Sequence, residues 1–122
     1  MFQSRRKIVA LLAVFLLAPV LASAATLSIS PQSGSYEVGD RLTVRVVMSA
    51  NEAINAVSGE LKFPPSMFVV DSVSKFSSIL NFWVSEPSHS NTLGKINFEG
   101  VVLGGFQGGT GTVVTVTLRA LN

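Results

Sequence analysis

Gly34-Ser35-Tyr36-Glu37-Val38-Gly39-Asp40, the run from Arg41 to Ala50, and the run from Ile54 to Phe63 with its stop at Pro64-Pro65 decide the fold. From Leu42 to Met48, and again from Ile54 to Phe63, apolar and polar residues alternate. That is the period of a pleated strand with one face in a core and the other in water. Leu42, Val44, Val46 and Met48 make one core-facing row; Val57, Leu61 and Phe63 make the next, with Ala56, Ser58, Glu60 and Lys62 turned outward. The short polar link Ser49 to Ala53 joins the two as neighbouring antiparallel strands. Proline cannot donate to a ladder, so the second strand ends at Pro64.

Working outward, Thr26 to Ser30 reads as a first strand, closed by Pro31 and a turn through Gly34. Phe68 to Val73 and Ile79 to Ser85 are short strands either side of a Ser- and Lys-containing turn, and Glu86 to Gly94 is the next turn. Lys95 to Val102 sets Ile96 and Phe98 against Asn97 and Glu99. Gly104 to Gly111 is expected to be loop, because residues without a Cβ weaken a ladder. Thr112 to Leu121 finishes with Val114, Val116 and Leu118 against Thr115, Thr117 and Arg119. No stretch sustains a helical period, and β-branched residues fill the strands. The predicted class is therefore all-β, an antiparallel β-sandwich of about seven strands.

At the start of the chain, Arg5, Arg6 and Lys7 precede the apolar run Ile8 to Leu21 and the small-residue site Ala22-Ser23-Ala24. This is the three-part layout of a secretory signal peptide, and the run is shorter than the roughly 20 apolar residues of a membrane span. Cleavage near Ala24 leaves residues 25–122, the size of one small β domain. Without the three basic residues, six Lys and Arg stand against seven Asp and Glu. The basic character belongs to the leader, and no electrostatic footprint for nucleic acid is left. Membrane contact is expected only through the signal peptide or an anchor outside this chain. There is no cysteine, which excludes a disulfide framework, thiol catalysis and thiolate metal sites. The composition fits a bacterial secreted or cell-surface protein.

The acidic residues Glu37, Asp40, Glu52, Glu60, Asp71, Glu86 and Glu99 are scattered singly, without calcium-loop spacing. No metal and no cofactor are expected. His89, the one histidine, falls in a predicted turn. A glycosidase would need two carboxylates at a set separation in a cleft. Glu60 and Glu99 could face the same way, yet a flat sheet offers no cleft to desolvate them. The glycine run does not open a helix in the phosphate-binding manner. The chain is expected not to be an enzyme.

Four stretches resemble a cohesin domain, the exported module that grips a dockerin in cellulosome-type systems. They are Gly34 to Asp40; Ile54 to Pro65; Phe82-Trp83-Val84-Ser85-Glu86-Pro87-Ser88; and Gly94-Lys95-Ile96-Asn97-Phe98-Glu99-Gly100 leading into the glycine run. The resemblance implies a nine-stranded jelly-roll sandwich, related in fold to carbohydrate-binding modules, with one sheet face as the dockerin platform. Carried over by position, that platform comprises Ala56, Ser58, Glu60 and Lys62 on the third strand and Trp83 and Ser85 on the fifth. Asn97 and Glu99 on the sixth and Thr115, Thr117 and Arg119 on the eighth complete it. The Asn and Asp that type I cohesins carry on the third strand correspond here to Ala56 and Ser58, so the resemblance does not extend to that dockerin type. The family's last strand has no counterpart before Asn122, which leaves the sandwich C-terminally incomplete, either as a fragment or with an unpaired edge.

The expected function is thus a non-catalytic exported receptor for a dockerin-bearing partner, at the cell surface or in a secreted complex linked to polysaccharide breakdown. A carbohydrate-binding module is the alternative, on the rings of Trp83, Phe82 and Tyr36, since aromatic faces stack on sugars. Phe82 and Trp83 are consecutive, so on a regular strand one must point inward and the other outward. A structural spacer of a surface protein is the third reading.

Overall fold

The computed structural model describes residues 15–17 and 25–122. Over them the chain is all-β and antiparallel: β1 (Phe15–Leu17), β2 (Ala25–Ser30), β3 (Arg41–Lys62), β4 (Phe68–Ser74), β5 (Phe82–Ser90) and β6 (Lys95–Ala120). The signal-peptide reading concerns residues 1–24, which apart from β1 lie outside the described residues.

β3 and β6 pair along most of their length and organise everything else. The first half of β3, Arg41 to Met48, lies against Arg119 to Gly111; its second half, Ala56 to Lys62, lies against Val101 to Lys95. β2 adds to the first half of β3, and β4 to the C-terminal half of β6. β1 adds to the second half of β3, and β5 to the N-terminal half of β6. Two layers result, β2-β3-β6-β4 and β1-β3-β6-β5, sharing the two long strands. One buried cluster draws on both: Val44, Val46, Val114, Val116 and Leu118 from the first, and Val57, Leu61, Ile96 and Phe98 from the second. Leu27 of β2 comes within 3.5 Å of where a Cβ on Gly59 of the second layer would stand. The arrangement is consistent with a β-sandwich.

The inward rows follow the predicted alternation except at one bulge, where Val47 and Val113 are buried beside Val46 and Val114. Ile96, Val113, Val114 and Val116 are wholly buried, and each such side chain contributes about 1.5–3 kcal/mol of hydrophobic stabilisation. With no cysteine to cross-link the chain, this packing carries the stability. The Glu37–Asp40 turn is tied to the end of β6, where Gly39 N–H donates to the Ala120 carbonyl (2.8 Å) and Ala120 N–H to the Asp40 carbonyl (2.9 Å). Tyr36 packs beneath it on Phe68, with ring centroids 5.3 Å apart.

Where the layers meet, the structure corrects the sequence reading twice. Ser49 to Ala53 is not a link but part of β3, and the glycine run is not a loop but part of β6. Register shifts four times between Val46 and Ala56, and Gly104 and Gly105 hold φ of 91° and 82°, a region closed to most residues with a Cβ. At Gly111 a Cβ would stand 2.7 Å from Ile79 Cγ2 and 2.8 Å from Phe106 Cζ. The glycines therefore supply bulges and close contacts that let two long strands turn from one layer into the other without parting. β5 is also displaced from its predicted position: it runs to Ser90, placing His89 on an exposed strand position rather than in a turn.

Candidate binding face

The outward side of the second layer is set by register. Residues directly opposite in an antiparallel pair share a face, and the pairs give four rows across β3, β6 and β5. These are Ala56, Val101 and Phe82; Ser58, Glu99 and Ser85; Glu60, Asn97 and Ser88; Lys62, Lys95 and Ser90. The face thus changes along the strands from apolar, through hydroxyl and acid, to charged.

The apolar end is held by Asn81, whose side chain behaves as an added strand residue. Its Oδ1 accepts from Leu103 N–H (2.7 Å), its Nδ2 donates to the Leu103 carbonyl (3.4 Å), and its backbone N–H donates to the Val101 carbonyl (3.0 Å). Phe82 and Leu103 are left 56% and 64% exposed beside it. Single exposed apolar residues are ordinary; here two stand side by side at one end of a register-aligned polar face. At the other end Glu60 sits between two ammonium groups, Lys95 Nζ at 3.4 Å and Lys62 Nζ at 3.9 Å. Exposed pairs of this kind contribute about 0–1 kcal/mol to stability. Glu99, exposed between Ser58 and Ser85, has no ion-pair partner among the described residues.

Of the residues singled out in sequence, Ala56, Ser58, Glu60, Lys62, Ser85, Asn97 and Glu99 come together on this face. Thr115, Thr117 and Arg119 do not. They pair with Arg45, Thr43 and Arg41 and form the outer side of the first layer, with the core between them and Ser58. Arg119 there flanks Asp71, as Arg41 does, at 3.3 and 2.8 Å. Position along β6 alone cannot reveal this, because one strand serves both layers. Trp83 is also displaced from the face: it packs against the core, opposite Gly100, with Lys75 Nζ 5.8 Å from its ring centroid. Lys75 is in turn bound to Glu86 at 2.6 Å. The outward ring is Phe82, and Leu103, which sequence reasoning placed at the edge of a loop, continues the row. Its signal was the alternation Phe98, Val102 inward against Glu99, Val101 and Leu103 outward.

Glu60 and Glu99 do face the same way, two residues apart along the paired strands. An open depression lies elsewhere, at the bend, lined by Ala25, Thr26, Ser49, Ala50, Asn51, Gly108 and Gly109, none of them titratable. Among the described residues no three His, Asp or Glu side chains converge as metal ligands would. The face carries hydroxyls, one acid at its centre and a charged end. Comparisons with family models, curated proteins and solved structures find no match to this chain.

Proposed function

We propose that this is a non-catalytic, exported protein-binding module of cohesin-like jelly-roll type, whose β3-β6-β5 face receives a dockerin-bearing partner. The observation that carries the reading is the register: Ser58, Glu99 and Ser85 lie in one row between an apolar end at Phe82 and a charged end at Glu60 and Lys62. Small side chains at Ala56 and Ser58 let a partner helix approach the sheet closely. Glu99 and the hydroxyls set its register, and Phe82 with Leu103 supplies the apolar anchor on which binding energy concentrates. An interface of this kind buries roughly 800 Å² per partner. Export and a place at the cell surface or in a secreted complex belong to the same reading, on the Arg5-Arg6-Lys7 leader pattern.

The carbohydrate-binding alternative is less well supported. Tyr36 is buried, Trp83 is packed on the core, and of the three proposed rings only Phe82 is open to a sugar. Titration against a panel of dockerins and soluble polysaccharides distinguishes the two. Saturable binding of a dockerin supports the module reading; retention of a polysaccharide with no dockerin bound would replace it.

A further inference from the structure

We propose that the outer edge of β3 from Ala56 to Lys62 is a self-association site, covered by the chain's own strand β1 and opened when the residues before Ala25 are removed. First, this edge takes a strand: Phe15, Leu16 and Leu17 pair antiparallel with Leu61, Glu60 and Gly59. Second, the edge is free of bulges. From Ala56 to Lys62 β3 keeps unbroken register with β6, as β2 does with the first half of β3, whereas the rim strands β4 and β5 both carry register shifts. A bulge-free edge is a template for another strand, and bulges are one way proteins prevent such pairing.

Third, the edge is complementary to itself. With Gly59 on a two-fold axis, Ser58 meets Glu60 of a second copy, Ala56 meets Lys62, and Val57 meets Leu61. The serine hydroxyl can donate to the carboxylate, no like charges meet, and the apolar residues stay on the core side, where Val57 and Leu61 already lie. Placing Glu60 on the axis instead would oppose two carboxylates, a destabilising arrangement. Pairing about a two-fold axis uses the same patch twice and closes at two copies. The signal-peptide reading enters only as the means by which β1 is lost.

The described buried cluster lies within residues 25–122, so a chain beginning at Ala25 keeps its core. In sedimentation, the full chain should run as one copy and the 25–122 chain at double the mass. Leu16→Pro in the full chain removes one N–H from β1 and should also produce the dimer. The sequence has no cysteine, so the Ser58→Cys/Glu60→Cys double variant of 25–122 reports the register by forming a disulfide-linked dimer. Two positions apart on one strand, those thiols are too distant to bridge within a copy. A monomeric 25–122 chain with an intact β-sheet signal overturns the proposal, as does an equal mass for the full chain and Leu16→Pro. Polymers, or a dimer that fails to cross-link at these positions, overturn the two-fold edge.

Discussion

Ser58 and Glu99 stand directly opposite each other on β3 and β6, both exposed on the outward side of the second layer. Because side chains alternate with period two, this pairing fixes every other row: a slip by one residue would send Val57 and Phe98 into water. Burial of those two residues and exposure of Ser58 and Glu99 are the same constraint seen from two sides. The docking reading rests on it, since the acid can meet a partner only while the core holds the register.

Glu99→Lys reverses the charge at the centre of the face without touching the core. Its effect on urea unfolding should stay within about 0.5 kcal/mol, while partner affinity falls by about 1–3 kcal/mol. Unchanged affinity in a calorimetric titration would remove Glu99 from the interface.

Phe82 and Trp83, adjacent in sequence, should behave oppositely. Phe82→Ala is expected to leave the unfolding midpoint nearly unchanged and to weaken partner binding by about 2 kcal/mol. Trp83→Ala should destabilise the fold by about 2 kcal/mol or more through lost core packing. Thermal unfolding and titration of both variants check the pair, and the reverse pattern would mean that the outward ring is Trp83.

The glycine run divides in the same way. Gly111→Ala forces a methyl group against Ile79 and Phe106 and should cost about 1–3 kcal/mol in urea unfolding. Nothing lies within 4 Å of a Cβ at Gly109, so Gly109→Ala should be neutral or stabilising by up to about 1 kcal/mol. Equal effects would contradict the account of the bend.

Asn91 bridges the layers: its Oδ1 accepts from Val70 N–H at 2.7 Å and its Nδ2 donates to the Val70 carbonyl at 3.4 Å. Asn91→Ala should cost about 1–2 kcal/mol, and amide exchange should quicken at Val70. A protected Val70 amide in the variant would show that the bridge is dispensable.

Alternation made the inward rows legible. Val57 and Leu61, Ile96 and Phe98, and Val114 and Val116 are buried as the pattern requires, because a core-facing strand must repeat every second residue. The bend was not legible. Glycine in Gly104 to Gly111 and the polar residues in Ser49 to Ala53 carry the composition of loops, and composition does not tell a loop from a bulged strand. Only the pairing of Ile54 with Phe106 and Ala50 with Gly108 does so. The same limit hid the layer of Thr115, Thr117 and Arg119, whose outward alternation is correct but whose layer depends on partners 70 or more residues away in sequence, such as Thr43 for Thr117. Trp83 and Phe82 were left as a choice of two, settled by register: Trp83 pairs with buried Gly100 and packs on the core, while Phe82 pairs with Val101 on the outward side.

The central claim is tested most directly by backbone amide NMR of the chain titrated with dockerin modules. The account predicts saturable shifts at Ser58, Phe82, Ser85, Asn97 and Glu99, with Thr43, Thr115 and Thr117 unmoved. Silence with every dockerin type, or shifts gathered on Thr43 and Thr117 instead, would contradict it.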